Sequence, residues 1–268
     1  MKQDFRQPAT TNLFPPRTSL ALLIASAFAV ASPIAVAGDD QEIPFDDADI
    51  YAELNHTDGD LGFHALIDGE PWKRLAIEDT RERRILSIHN RGRLRRQGLT
   101  ELFFESAEPP FDELTPAQFF NRFPEGIYEV EGRTLDNQEM ESEVEFTHLM
   151  PAPAANIQLS GVPAAENCDA DPLPVVTPPV VISWDSVTHS HPDMGRSGET
   201  VEVVRYQLVV EREEPIPLAM SIELPPDVTM MEVPSEFTDL GEEFKFEILV
   251  KEESGNQTAV ESCFEVDG

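Results

Sequence analysis

Val180-Val-Ile-Ser-Trp-Asp-Ser-Val187 and Tyr206-Gln-Leu-Val-Val-Glu211 are the two stretches that decide the fold of this chain. Both are short runs rich in β-branched and aromatic residues, and such runs favour strands over helices. The proline-rich run Asp171-Pro-Leu-Pro-Val-Val-Thr-Pro-Pro179 precedes them, and Cys263-Phe-Glu-Val266 closes the region. The C-terminal part of the chain is therefore predicted to be one β-sandwich module.

The order of motifs in this region resembles a fibronectin type III domain. Trp184 stands where the family has its core tryptophan in the second strand, and Tyr206 begins the third strand. Leu240-Gly-Glu-Glu-Phe-Lys-Phe246 resembles the corner and sixth strand, with Phe246 where the family usually has its corner tyrosine. The resemblance covers about a third of the chain and implies a spacer or binding module with no shared active site.

Strand-like segments also recur in quick succession between residues 50 and 148. Their spacing is that of an antiparallel sandwich or barrel, because turn signals separate them: Asp58-Gly59, Asp68-Gly69, Arg91-Gly92 and Asp136-Asn137. One helix is predicted at residues 115–123, since Thr115 can cap it and Pro116 suits its first position. This region matches no family that we recognise from its motifs.

These patterns predict an all-β protein with two β-sandwich-like domains. We expect a signal peptide at residues 1–37, an antiparallel β domain of unknown family with one short helix at 43–155, a proline-rich linker at 156–172 and a fibronectin type III-like domain at 173–267.

The N-terminus has the features of an export signal. Lys2, Arg6 and Arg17 precede an apolar run at residues 20–31, and the small residues Ala35-Val-Ala37 form a cleavage site. The apolar run is too short for a stable membrane span. An exported protein is expected, and the sequence leaves periplasmic and extracellular locations open.

The chain is strongly acidic. Without residues 1–37 it holds 16 Lys+Arg against 50 Asp+Glu, a formal charge of −34. Such a surface repels nucleic acid and anionic membranes, so neither is an expected partner. The hydrophobic fraction of 40% is enough for packed cores, and the absence of a coiled-coil pattern favours a monomer.

Cys168 and Cys263 are the only cysteines of the chain. In an exported protein such a pair is most simply one disulfide. The objection is topological, because residues before the first strand and late in the last strand of a sandwich need not be neighbours.

Arginines are concentrated in one segment. If the strand at residues 84–89 turned back at Leu94, the loop Asn90-Arg-Gly-Arg93 would present guanidinium groups at a hairpin tip, where they suit sulfate, carboxylate or phosphate groups. A protein or an anionic glycan is the expected partner, and the predicted binding residues are Arg84, Arg91, Arg93, Arg95 and Arg96. Alternatively, these arginines pair with the protein's own carboxylates.

Two segments carry potential metal ligands. Asp58 and Asp60 flank a glycine as in a fragment of a calcium loop, so calcium is the one cofactor that we leave open, although a tight hairpin explains the pattern equally well. His189-Ser-His191 with Asp193 could hold zinc or copper, or could be a polar loop with free histidines.

The sequence contains no phosphate loop, nucleophile elbow or zinc-protease helix. We therefore expect a non-catalytic binding or structural protein that mediates protein or anionic-glycan contacts at the cell exterior. The alternative is a secreted hydrolase with its site in the unrecognised N-terminal domain, where Glu101, Glu105 and Glu108 are the best candidates.

Overall fold

A computed structural model describes residues 42–267, so the signal peptide expected at residues 1–37 lies outside the described part of the chain. The fold is all-β, as predicted. The N-terminal half contains β1 (Asp47–Asn55), β2 (Asp60–Glu78), β3 (Arg84–His89), α1 (Leu94–Gln97), β4 (Leu99–Glu105), α2 (Pro116–Arg122), β5 (Gly126–Thr134) and β6 (Glu139–Phe146).

The C-terminal half contains the remaining elements. They are β7 (Ala155–Leu159), β8 (Val162–Pro163), β9 (Val175–Val176), β10 (Val180–Asp185), β11 (Val203–Arg212), β12 (Leu218–Leu224), β13 (Met230–Val233), α3 (Ser235–Thr238), β14 (Glu243–Glu252) and β15 (Gln257–Val266).

The C-terminal half is a sandwich of fibronectin type III topology. One sheet has the order β13-β10-β7-β8, and the facing strands follow the order β12-β11-β14-β15. Alternate residues of these strands point inward, so that Trp184, Tyr206, Phe246 and Phe264 meet in one buried core. The strands predicted around Trp184 and Tyr206 are therefore confirmed as β10 and β11.

The N-terminal half has its own core, in which Trp72, Phe63 and Phe146 are fully buried. The turn predicted at Asp68-Gly69 is wrong, because β2 runs through this position for 19 residues. Its pairing with β4 shifts register between Asp68 and Trp72 instead. A bulge at this point allows one long strand to pair with different strands along its length.

Helix α2 closes the N-terminal core as predicted. Thr115 accepts a hydrogen bond from the backbone N–H of Gln118, whose side chain accepts one from the Thr115 N–H in return. Pro116 fills the first turn, and Phe119 and Phe120 are buried.

A corner hydrogen bond stabilises the strand that follows this helix. The Tyr128 hydroxyl donates to the Pro124 carbonyl, 3.0 Å away and four residues upstream. This is the tyrosine-corner arrangement of sandwich domains. Phe246 has no hydroxyl group and cannot make this hydrogen bond in the C-terminal half. Tyr128 makes it in the N-terminal half.

The two halves share one sheet of eleven strands. Its centre is a parallel pairing of β1 with β15, in which Glu53 lies opposite Gln257 and Asn55 opposite Ala259. The segment expected as a linker at residues 156–172 contributes to the C-terminal sandwich, since β7 pairs with β10.

Cys168 and Cys263 form a disulfide, as predicted. The topological objection is met because the segment before β10 runs alongside the last strand, where β9 pairs in parallel with β15.

Candidate functional site: an arginine loop

The predicted binding arginines lie at a break between two strands on one side of β2. The sequence predicts a hairpin in which Leu94 starts the return strand, and this prediction is wrong. Strand β3 pairs with residues 74–78 of β2, and β4 pairs with residues 64–72. Both are antiparallel to β2, so they follow one another in the same direction, and residues 91–97 protrude between them. We call residues 91–96 the arginine loop.

Both ends of the arginine loop are anchored. Asn90 is buried, and its side-chain amide donates to the Trp72 carbonyl at 2.8 Å. At the other end, the Gly98 N–H donates to Leu94 O, and Gly98 adopts a positive φ of 80° against Pro71. The loop therefore projects from fixed points, and Leu94–Gln97 form the short helix α1.

Two arginines before the loop, Arg83 and Arg84, are engaged with the protein's own carboxylates. Arg83 donates two hydrogen bonds to the buried Asp79, at 2.8 and 2.6 Å. Burial acts to raise the pKa of Asp79, but the hydrogen bonds from Arg83 and the backbone outweigh it and lower the pKa. Arg84 lies 2.6 Å from Glu78 and 3.6 Å from Glu131.

The arginines of the loop itself are free of such partners. Within residues 42–267, no ion pair or side-chain hydrogen bond engages Arg91, Arg93, Arg95 or Arg96, and all four are exposed. Leu94, in their midst, is 51% exposed. The interpretation by internal pairing thus holds for Arg83 and Arg84 and fails for the arginine loop.

Of the predicted calcium ligands, Asp58 lies in a tight turn and Asp60 begins β2. The Asn55 side chain accepts hydrogen bonds from the N–H groups of Thr57 and Asp58, which explains the turn without an ion. Burial, followed by neighbouring carboxylates, raises the pKa of Asp60 to about 6. Among the described residues, the one group of three potential ligands within metal-binding distance excludes Asp58 and Asp60: Glu78, Glu129 and Glu131.

A buried imidazole between two carboxylates was missed by sequence reasoning. His64 is 2% exposed, and its Nε2 lies 3.0 Å from Glu108 Oε1. Its Nδ1 faces Glu53 at 4.0 Å, and burial raises the pKa of Glu53. Gly62 leaves room for this contact, because a Cβ there would lie 1.8 Å from Glu108 Oε1.

Of the carboxylates considered for a hydrolase, Glu105 and Glu108 both lie near His64, and Glu101 lies further along β4. Glu101 lies opposite Asp68 and Glu105 opposite His64 in the pairing of β2 with β4, whereas Glu108 lies beyond the end of β4. The enclosed His64 ring offers little surface to a substrate, so we interpret its cluster as structural.

The histidines of the loop after β10 behave differently from one another. His189 is exposed, but His191 is 3% exposed and its Nε2 lies 3.2 Å from His56 Nδ1. The backbone N–H of Asp193 donates to His191 Nδ1. His191 is therefore a contact between the two halves of the chain rather than a free loop histidine.

Comparisons with known proteins give structural likenesses alone. No family model and no curated protein matches the chain. Among solved structures, the chicken CNTN1 FN1-FN3 domains match with 9% identity and a TM-score of 0.33, over 84% of this chain and 65% of that chain. A chicken tenascin segment of two fibronectin type III domains matches with 10% identity and a TM-score of 0.26, over 82% and 98%.

A bacterial ice-binding adhesin is also similar in structure, with 9% identity and a TM-score of 0.24, over 85% of this chain and 66% of that chain. The likeness is therefore not confined to the C-terminal third of the chain, although the chain spans less than two thirds of the first of these structures. At such scores the fold is better described by its own strand order. Within residues 42–267, no helix is long and apolar enough to cross a membrane.

Proposed function

We propose that this protein is an exported binding protein without catalytic activity, and that the arginine loop is its contact surface for an anionic partner. The single observation that carries the proposal is the contrast between the arginines. Those at positions 83 and 84 are neutralised by carboxylates, whereas the four arginines of the loop project into solvent without one.

Electrostatics supports this assignment. In a chain with a formal charge of −32, an exposed cluster of unpaired guanidinium groups is a local exception. Each guanidinium can donate two parallel hydrogen bonds to a carboxylate or a sulfate. The exposed Leu94 adds an apolar contact at the centre of the cluster. Arg84 is held by Glu78 and is not itself the contact.

The disulfide supports export. Such bonds form and persist in oxidising compartments outside the cytosol. The bond between Cys168 and Cys263 joins positions 95 residues apart and so spans most of the C-terminal half. On charge alone, the partner is an acidic protein or an anionic glycan.

The test is binding of residues 38–268 to an array of sulfated, uronic and neutral glycans, with and without calcium. We expect capture of the anionic glycans that weakens as salt is raised, because exposed charges are screened over about 10 Å at 0.1 M. Replacement Arg95→Glu/Arg96→Glu should reduce capture at least tenfold.

A matched control variant has the same change in net charge at positions outside the arginine loop. Arg81→Glu/Arg122→Glu alters two exposed arginines outside the loop and should bind as the wild type does. Equal loss of binding in both variants would reduce the effect to net charge and would contradict a site at the arginine loop.

A further inference from the structure

A second surface of the molecule complements the arginine loop. It is a groove of about 750 Å³ in the C-terminal half, between the turn after β11 and the start of β14. The disulfide of Cys168 and Cys263 forms part of its lining, together with Pro215 and Leu240. We call this surface the acidic groove.

The rim of the groove is acidic. Four exposed glutamates line it, and none has an ion pair within residues 42–267: Glu213, Glu214, Glu242 and Glu243. Lys245 also lines the groove, but it is held by Glu261 at 2.6 Å. Leu240 is 46% exposed, so that an apolar patch accompanies the free carboxylates.

A buried arginine fixes the two walls of the groove. Arg212 is 8% exposed and donates to the carbonyl of Ile216 at 2.8 Å and to the carbonyl of Leu240. The walls are thus tied together before any partner arrives, and a preorganised surface loses less conformational entropy on binding. The one positive charge of Arg212 does not balance the four negative charges of the rim glutamates.

An acidic groove with an apolar patch suits an apolar side chain flanked by cations. The arginine loop is such a segment, since Leu94 is 51% exposed and stands between Arg93 and Arg95. Both surfaces carry charges that have no partner in the described part of the molecule, and the charges are opposite in sign.

The loop of a molecule cannot reach its own groove. Glu243 in the groove lies opposite Glu265 of β15, whereas the arginine loop precedes Leu99, which lies opposite Trp72 of β2. The path between them follows three paired strands in one direction. It runs along β15 from Glu265 to Ala259, along β1 from Asn55 to Asp47, and along β2 from Asp68 to Trp72. At about 3.3 Å per residue this path is on the order of 60 Å.

We propose that the arginine loop of one copy docks in the acidic groove of a second copy, so that molecules associate head to tail. This inference rests on the proposed function, because it uses the same arginine loop, and it names a second copy of this chain as the partner. A head-to-tail contact does not close on itself by necessity, so open rows of molecules are the expected product.

The net charge of the protein sets the conditions for this contact. Copies with a strong negative charge repel one another at long range, and salt of physiological strength screens that repulsion beyond about 8 Å. Ion pairs in direct contact are screened less. Association should therefore be weak, concentration-dependent and absent at low ionic strength.

The test uses sedimentation of residues 38–268 over a range of concentrations at 0.15 M salt. The weight-average mass should rise with concentration for the wild type. It should stay at the monomer value for the loop variant Arg95→Glu/Arg96→Glu and for the groove variant Glu213→Lys/Glu242→Lys. Mixing these two variants should restore association in pairs, because the unchanged loop of the groove variant then meets the unchanged groove of the loop variant.

The controls carry equal charge changes elsewhere. Arg81→Glu/Arg122→Glu and Glu199→Lys/Glu253→Lys alter exposed residues outside both surfaces, and each should associate as the wild type does. A wild type that remains monomeric, or a mixture that does not recover, overturns the inference. If the loop variant still loses glycan capture in that case, the proposed function stands without the head-to-tail contact.

Discussion

The side-chain carbonyl of Asn256 accepts a hydrogen bond from the backbone N–H of Ala52 at 2.8 Å, across 204 positions of the chain. Asn256 lies in the turn between β14 and β15, and Ala52 lies in β1. The same side chain donates to the carbonyls of Thr147 and Leu149, at 3.0 and 3.1 Å. The buried amide of Asn256 thus satisfies three backbone groups that precede the C-terminal sandwich. It lies beside the parallel pairing of β1 with β15.

Replacement of Asn256 by alanine should destabilise the whole protein. The Ala52 N–H would lose its acceptor in a site where Asn256 is 1% exposed, and the carbonyls of Thr147 and Leu149 would lose a donor. We expect the free energy of unfolding to fall by about 2–4 kcal/mol. Urea unfolding measures it, and the exposed Asn167→Ala should change it by less than about 0.5 kcal/mol. Similar values for the two variants would contradict a joining role for Asn256.

Removal of the disulfide should lower stability without changing the fold. The bond spans 95 positions, and in the chain-entropy description such a loop contributes about 4–5 kcal/mol. The variant Cys168→Ser/Cys263→Ser should therefore unfold at a much lower urea concentration than the wild type. The far-ultraviolet spectrum should remain that of a β protein. An unchanged unfolding midpoint would show that the bond contributes nothing to stability.

The contact between His56 and His191 should make stability depend on pH. Burial is the main cause that lowers the pKa of both side chains, and Asp193 opposes it in each case. A histidine with a lowered pKa in the folded state takes up a proton more readily when unfolded. Its contribution to stability is complete above the unfolded pKa of about 6.5 and is lost as pH falls through the lower folded value.

The measurement is urea unfolding at several pH values between 7.5 and 5.5. The variant His56→Gln/His191→Gln should lose less stability on acidification than the wild type does. His189→Gln, which alters an exposed neighbour, should keep the wild-type slope. Identical slopes for all three proteins would exclude the contact between His56 and His191 as a source of the pH dependence.

Glu247 should change the stability of the protein with pH in the opposite direction. Burial, followed by the carboxylates of Glu53 and Glu261, raises its pKa to about 7. A raised carboxyl pKa favours the folded state below the unfolded value and costs stability as pH rises through 7. Glu247→Gln should therefore stabilise the protein at pH 8 by about 1–2 kcal/mol, allowing for screening by solvent.

The gain from Glu247→Gln should become small near pH 4.5, where the carboxyl is protonated in the folded state and about half protonated in the unfolded state. Glu253→Gln, at an exposed position in the turn after β14, serves as the control and should show no such gain. A gain that is the same at both pH values would assign the effect to packing rather than to charge.

Much of the fold could be predicted from local patterns. The strands around Trp184 and Tyr206, the helix capped by Thr115 and the pairing of the two cysteines all followed from residue type, spacing and compartment. These features depend on near neighbours in the chain or on the only partner available. The break between β3 and β4 could not be predicted, because it arises from a long β2 that serves both strands in turn.

The sequence by itself determined the strand pattern, the acidic charge and the concentration of arginines between residues 81 and 96. Only the tertiary structure decided which of those arginines are neutralised. Arg84 meets Glu131 because β3 and β5 both lie against β2. His56 meets His191 across 135 positions because both are held beside β15. The His56 N–H donates to the Ala259 carbonyl, and the His191 N–H donates to Met150, whose neighbour Pro151 accepts from Thr258. The physical reason is that hydrophobic alternation is a local property of the chain, whereas an ion pair depends on distances that long-range strand pairing sets.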